Sequence, residues 1–257
     1  MIARDLLIAV VVVGFVAGFV NTLAGSGSLL TLPMLMYLGL PANVANATNR
    51  VGILLQAMVG VAEFRRQRIL AVKAGLSVAL PAVVGSLLGA RIAVDLDEEA
   101  MRRAVGLVMV AMLFVMMWRP ERWLRGRGEE VSRLRWYDAV VLFVLGIYGG
   151  FIQAGVGILL LGGLVLGAGY DLVRANAIKV LITLLITIAA LGVFISSGQV
   201  RWDVGALLAI GSVAGAWFGA RLAVQRGAEF VRWVVAAAVA VSAGDLLGAF
   251  DFLHRVL

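Results

Sequence analysis

Ten apolar segments separated by short polar stretches dominate the sequence, and their lengths constrain the fold more than any other feature. A helix needs about 20 apolar residues to cross a bilayer, and most of the segments reach that length. Of the 257 residues, 62% are hydrophobic and 14% are charged, which is the composition of an integral membrane protein. The segments cover residues 5–24, 28–40, 44–64, 69–93, 100–118, 138–153, 156–169, 172–197, 203–224 and 230–250.

Two of these segments, residues 28–40 and 156–169, are too short to cross the bilayer comfortably. Each follows a glycine-rich break, GSGS at residues 25–28 and GVG at residues 155–157. We interpret each short segment and its predecessor as one broken helix or hairpin. The ten helical segments of this all-α membrane protein then form eight membrane units.

The two halves of the chain repeat each other. GFVN at residues 18–21 matches GFIQ at residues 150–153, and the ANA tripeptides around Asn46 and Asn176 lie 130 residues apart. GSLLGAR and GAWFGAR, which begin at Gly85 and Gly215, keep the same separation of 130 residues. We therefore predict two repeats, 1–118 and 137–257, joined by a basic linker at 119–136. Each repeat contains a hairpin and three transmembrane helices.

Charge predicts how the chain lies in the membrane. If the basic residues after the third segment face the cytoplasm, the acidic turn at 95–99 faces outward and the linker faces inward. Three crossings per half invert the second repeat and leave both termini outside. Inverted repeats whose broken helices meet near the midplane are typical of secondary transporters. The basic residues predicted to be cytoplasmic are Arg65, Arg66, Arg68, Lys73, Arg174, Arg226 and Arg232.

Several classes of function are disfavoured by composition. The net charge of +7 could suggest nucleic acid, but the basic residues lie mostly between apolar segments, so we expect no nucleic-acid partner. The chain has no cysteine and a single histidine, and it contains no phosphate loop or paired-carboxylate motif. We therefore expect no catalysis, no metal and no cofactor. The apolar amino terminus resembles a signal peptide, but it belongs to the first repeat and we expect it to be retained.

Polar residues inside the apolar segments are the candidates for chemistry. Asn46, Asn49 and Arg50 share one helix face, as do Asn176, Lys179 and Thr183 in the second half. A central Arg or Lys costs about 3 kcal/mol on insertion scales, and neither segment places a carboxylate beside its cation. An anionic substrate could supply the missing partner. The alternative is that both cations lie near helix starts and extend to the lipid headgroups.

The two glycine-rich breaks offer a second element of an anion site. The amino end of a helix presents unpaired N–H groups and a partial positive charge, and small residues let an oxyanion approach them. The alternative is that the glycines only pack helices together. The predicted substrate-binding residues are Asn21, Gly25, Ser26, Gly27, Ser28, Asn46, Thr48, Asn49, Arg50, Gln153, Gly155, Gly157, Asn176, Lys179 and Thr183.

The glycine motifs GSLLGAR and GAWFGAR and the carboxylate of Asp245 are interpreted separately from the anion site. The glycine pairs of GSLLGAR and GAWFGAR have the spacing of helix-packing motifs, and we expect them to pack helices. Asp245 lies well inside the last apolar segment. It either exchanges a proton during coupled transport or is a packing residue whose carboxyl is satisfied by neighbours.

The segment GFVNTLAGSGSLLTLPMLMYLGLPANVANATNRVG and its echo GIYGGFIQAGVGILLLGGLVLGAGYDLVRANAIKV closely resemble the TauE/SafE family of sulfite exporters and sulfonate permeases. The likeness covers both halves. It implies a multi-pass inner-membrane transporter, commonly an exporter, of small sulfur oxyanions such as sulfite or organosulfonates such as sulfoacetate. The first alternative is an anion channel, and the second is an intramembrane lipid-modifying enzyme. The expected partners are the anion and the lipid bilayer, and a homodimer stays open.

Overall fold

The computed structural model describes residues 4–23, 25–70, 72–117, 136–167 and 169–246. Within these ranges the chain forms nine α-helices, one π-helical turn and no strand, which confirms the predicted all-α fold. The helices are α1 (Arg4–Leu23), α2 (Ser28–Tyr37), α3 (Ala42–Arg66), α4 (Val72–Asp95), α5 (Glu98–Met117), α6 (Trp136–Phe151), α7 (Val156–Gly162), α8 (Leu172–Ser196) and α9 (Trp202–Leu246). The π-helical turn, Gly163–Gly167, continues α7.

Among the described residues, three helical stretches are long and apolar enough to cross a membrane, namely Gly75–Asp95, Leu172–Ser196 and Trp202–Arg226. Large apolar side chains cover the outer surface of the bundle. Leu80 on α4 is 65% exposed and Leu107 on α5 is 72% exposed. Water would penalise such a surface, whereas lipid tails accommodate it. The fold is that of a membrane protein.

The two predicted helix breaks are present. α1 and α2 are separated by residues 24–27, and α6 and α7 by residues 152–155. Gly25 and Gly155 adopt positive φ angles of 82° and 72°, in the left-handed region that favours glycine. Gln153 also has a positive φ angle, 65°, and is held by side-chain hydrogen bonds described below. Each hairpin thus turns where the glycine-rich motif predicts a break.

One boundary differs from the prediction. Residues 203–224 and 230–250 are predicted as separate segments, but the structure continues a single helix, α9, to Leu246. The polar stretch between them, QRGAE at 225–229, contains no proline and one glycine, so its backbone stays helical despite its charges. The described residues therefore contain nine helices rather than ten. The side chain of Asp245, the end of the last segment and nearly all of the predicted linker lie outside the described parts.

The helices of the two halves pack reciprocally. α1 packs most extensively on α9, and α6, its counterpart in the predicted second repeat, packs on α4. Likewise α3 packs on α9 and α8 packs on α4, while α3 and α8 contact each other. Each hairpin is therefore supported mainly by helices of the opposite half. The inversion of the second half across the membrane stays a prediction.

Glycines allow the closest of these helix contacts. A Cβ atom on Gly85 of GSLLGAR would overlap the backbone of Phe143 in α6, and one on Gly215 of GAWFGAR would overlap the backbone of Phe15 in α1. Backbones approach this closely only where no side chain intervenes. The packing interpretation of both motifs is confirmed.

Candidate functional site

The two helix breaks meet in the interior, backbone against backbone. A Cβ atom on Gly25 would lie 2.9 Å from the amide nitrogen of Ile158 and would overlap the Cα atom of Gly157. Conversely, a Cβ atom on Gly157 would lie 3.0 Å from the carbonyl oxygen of Gly25. Only glycine fits at both positions of this contact.

A small cavity lined mostly by polar residues lies beside the first break. It has room for about one water molecule. Hydroxyl, amide and backbone groups supply its polar surface, and none of the described lining residues carries a charge. We call it the Asn49 cavity. Its lining residues are Ala17, Asn21, Gly27, Ser28, Thr31, Asn49, Ile53, Gln56 and Ser212.

Asn49 lines this cavity and carries an unused hydrogen-bond donor. Its side chain is 2% exposed, and its Oδ1 atom accepts a hydrogen bond of 2.6 Å from the hydroxyl of Thr31. Its Nδ2 atom has no hydrogen-bond partner within the described chain. A buried donor without a partner is costly and is usually satisfied by a ligand or an ordered water. The Asn49 cavity is therefore suited to a small ligand rich in acceptor atoms.

Arg50 is fully buried and caps the end of α6. Its NH1 atom donates to the carbonyl oxygen of Gly149 at 3.0 Å and to Oε1 of Gln153 at 3.1 Å. Its NH2 atom donates to the carbonyl oxygens of Gly150 at 2.5 Å and Phe151 at 3.3 Å. These carbonyls close the helix at its C-terminus, where the helix dipole is negative. The compensation for the buried charge comes from the protein backbone.

Lys179 is also buried, and it caps the end of α1. It is 1% exposed, and its Nζ atom donates to the carbonyl oxygens of Asn21 at 3.0 Å and Thr22 at 2.9 Å. The headgroup alternative for the two cations is therefore wrong, since both side chains are enclosed by the bundle. The hydrogen bonds of Arg50 and Lys179 go to helix ends. The direct anion contact predicted for both residues stays a prediction.

The second break carries its own cluster of buried polar side chains. Nε2 of Gln153 donates to the hydroxyl of Thr187 at 2.7 Å, and that hydroxyl donates to the carbonyl oxygen of Thr183. Nδ2 of Asn46 donates to the carbonyl oxygen of Phe151 at 2.7 Å. Asn176 is fully buried, and its two amide atoms have no partner in the part of the chain that is described. The structure thus places predicted residues of both halves around the breaks.

Some predicted residues lie elsewhere or touch other elements. The hydroxyl of Thr48 accepts a 3.0 Å hydrogen bond from the backbone N–H of Arg201, beyond the end of α8, so it joins two helices. Ser26 is buried within the first break. Gly155 faces Met112 of α5, whose Cε atom would lie 2.5 Å from an added Cβ. These contacts favour structural roles for Thr48 and Gly155.

Three polar residues of the Asn49 cavity are absent from the predicted set. Gln56 lies seven residues after Asn49 and so shares its helix face, and Thr31 lies three residues after Ser28. Helical periodicity could have revealed both residues. Ser212 comes from α9, and the sequence carries no signal for it, because only the fold brings α9 to the first hairpin.

No group of three or more His, Cys, Asp or Glu residues is placed to hold a metal ion among the described residues. What the arrangement supplies is a set of neutral hydrogen-bond donors next to a helix amino end. Such donors suit the oxygens of a small oxyanion.

The family described as "Sulfite exporter TauE/SafE" matches residues 10–246, nearly the whole chain. The chain belongs to the TauE/SafE family. It is a transmembrane transporter of that family, and the two contacting breaks lie within the matched region.

Curated relatives of this TauE/SafE protein match along almost their full lengths. A probable membrane transporter protein of Haemophilus influenzae is 28% identical over 234 residues, covering 91% of each chain. The probable membrane transporter protein ORF9 of a Sinorhizobium species is 27% identical, covering 90% of this chain and 88% of its own. YfcA of Escherichia coli K12, also a probable membrane transporter protein, is 28% identical over 96% of this chain and 91% of its own. No solved structure is significantly similar to this TauE/SafE protein.

Proposed function

We propose that this protein is a secondary transporter that exports small sulfur-containing anions, sulfite or organosulfonates such as sulfoacetate, across the inner membrane. The family description supports sulfite export as the starting point, whereas the names of the relatives stop at membrane transport. In this proposal the anion binds between the two repeats, in the Asn49 cavity beside the first break.

The observation that carries the proposal is the unpaired Nδ2 donor of Asn49, buried in a cavity that has only neutral lining groups. Sulfite and sulfonates each present three oxygens that accept hydrogen bonds. Ser28 adds a hydroxyl, and the start of α2 adds the positive end of a helix dipole. Neutral donors hold an anion without a contacting counter-charge, so release is not blocked by tight ion pairing.

Arg50 and Lys179 assist from a distance. Both charges are buried near the breaks, where the low dielectric lets a positive charge attract an anion over a longer range than in water. Their hydrogen bonds to carbonyls leave the direct contacts to the neutral donors. The site therefore combines a positive potential with uncharged ligands.

The small size of the Asn49 cavity favours a carrier over a channel. The cavity has room for about one water molecule, and most of its polar lining residues are buried. An anion the size of sulfite requires the halves to move apart on one side at a time, as in alternating access. We interpret the structure as an occluded state of a transporter rather than as an open pore or an enzyme.

Counterflow in proteoliposomes tests this proposal. Vesicles containing the purified protein would be loaded with unlabelled sulfite, sulfate, thiosulfate, sulfoacetate or taurine, and uptake of the same labelled compound would be followed. We expect saturable uptake, stimulated by internal substrate, for sulfite or sulfoacetate, and weaker uptake of taurine because its ammonium group opposes a positive site. Unsaturable flux without stimulation would indicate a channel, and no flux of any of these compounds would refute the proposal.

A further inference from the structure

Each of the two buried cations contacts the half of the chain opposite to its own. Arg50, on α3 of the first half, reaches the last carbonyls of α6 in the second half. Lys179, on α8 of the second half, reaches the last carbonyls of α1 in the first half. We propose that Arg50 and Lys179 are positioning residues: each donates hydrogen bonds to the end of the opposite hairpin's first helix, which keeps the two breaks in contact, without touching the anion.

The helix ends need such partners because of where they lie. The last carbonyls of a helix have no N–H partner within the helix, and water is scarce inside a bilayer. Breaking α1 and α6 inside the bundle therefore leaves unpaired acceptors and a partial negative charge at both breaks. In other transporters with broken helices, carbonyls at such ends coordinate sodium ions. Here side-chain cations take that position.

Most hydrogen-bond donors of the two cations go to helix ends, and neither cation lines the Asn49 cavity. NH1 and NH2 of Arg50 each donate to two acceptors, and the remaining donor, Nε, is buried without a partner in the described residues. Lys179 donates to two carbonyls. The described residues that line the Asn49 cavity include neither cation. An anion in that cavity would be held by other groups.

The sequence positions of the cations support the same role. Lys179 corresponds in the repeat to Asn49, whereas Arg50 is one residue further along. Arg50 and Lys179 are different residue types at non-equivalent positions of the repeat. Both nevertheless donate to a helix C-terminus in the opposite half. What the two halves share is the charge at the helix end. A ligand-binding motif would instead keep the residue type and the position.

Alkylation of introduced cysteines tests the proposal in the absence of any anion, which is practical because the native chain contains no cysteine. Ser26→Cys reports on the first break and Val156→Cys on the second, since both native side chains are buried. Val10→Cys is the control reporter, buried in α1 about 20 Å along the helix from the first break. Lys179→Gln would be combined with Ser26→Cys, and Arg50→Gln with Val156→Cys. Each neutral variant would also be combined with the control.

We expect each neutral variant to accelerate alkylation at its break about ten- to a hundredfold, the loss expected for charge-assisted hydrogen bonds. Alkylation at position 10 should not change. The charge-conserving variants Lys179→Arg and Arg50→Lys should restore most of the protection, and the exposed Arg102→Gln should have no effect.

Two results would overturn the proposal: unchanged alkylation at both breaks, as expected of residues that contact only an anion, or equal acceleration at position 10, as expected of general unfolding. The proposal rests on the proposed function only for its statement about the anion, and the alkylation assay contains no substrate. Failed counterflow with the expected alkylation pattern would reject the transport proposal alone.

Discussion

Gly25 and Gly157 lie in direct backbone contact, although they belong to different halves of the chain and to different helix breaks. The contact leaves no space for a methyl group on either residue. It joins the hairpin of each half to that of the other, so a movement of one half relative to the other must separate or slide the two breaks. The Asn49 cavity lies next to this contact, so such a movement also changes access to the cavity.

Gly25→Ala and Gly157→Ala should each abolish or strongly reduce counterflow. The added methyl group would overlap the opposite break, and at Gly25 the backbone φ angle of 82° disfavours alanine as well. Gly106→Ala in α5 is the matched control, because nothing lies within 4 Å of its added Cβ. Alanine there should raise stability slightly, by up to about 1 kcal/mol. Normal counterflow in Gly25→Ala would mean that the breaks do not need to touch.

Gly85→Ala should mainly lower stability. Its methyl group would press into α6, overlapping the Phe143 carbonyl and lying 2.9 Å from the amide nitrogen of Ile147. Overpacking of this kind costs about 1–3 kcal/mol. Thermal unfolding in detergent measures the loss, and the KM of the remaining folded protein should change less than about twofold. A large rise in KM with an unchanged Tm would show that GSLLGAR belongs to the substrate site instead.

Exchange of the transported anion should not depend on sodium. The helix ends that could coordinate a sodium ion already receive hydrogen bonds from Arg50 and Lys179. Counterflow rates in sodium chloride and in N-methylglucamine chloride should therefore agree. A rate that rises in a saturable manner with sodium concentration would show that the ion has a site of its own.

The positive-inside arrangement predicts that position 97 faces outward and position 126 faces the cytoplasm. Position 97 lies between α4 and α5, and position 126 belongs to the predicted linker, outside the described residues. An impermeant thiol reagent applied to intact cells should label Asp97→Cys and spare Gly126→Cys. The reverse pattern would place both termini inside.

The sequence alone was sufficient for the helical fold and for the positions of both breaks. Length and apolarity determine which segments become helices, and glycine marks where the chain must turn sharply. The prediction divides α9 wrongly, because the charged residues at 225–229 favour a helix end in the sequence pattern but leave the backbone free to stay helical. The helix-packing role of Gly85 followed from spacing alone.

The sequence could not reveal where the hydrogen bonds of Arg50 and Lys179 go. A buried cation without a nearby carboxylate suggests an anionic partner, but backbone carbonyls at a distant helix end meet the same electrostatic need. Those carbonyls are more than 90 residues away in sequence, so only the fold brings them together. The contribution of Ser212 to the cavity depends on the same long-range packing.

Counterflow by Asn49→Asp, compared with Asn43→Asp, tests the central claim most directly. Aspartate at position 49 keeps the oxygen that accepts from Thr31 and replaces only the free Nδ2 donor, with a negatively charged oxygen of nearly the same shape. At Asn43 the side chain accepts from the backbone N–H of Val44 at the start of the same helix, a role that aspartate preserves. Losing a hydrogen bond to a charged ligand and adding a like charge should reduce anion exchange at least about tenfold in Asn49→Asp. Asn43→Asp should transport normally. Equal exchange rates in the two variants would contradict the assignment of the Asn49 cavity as the anion site.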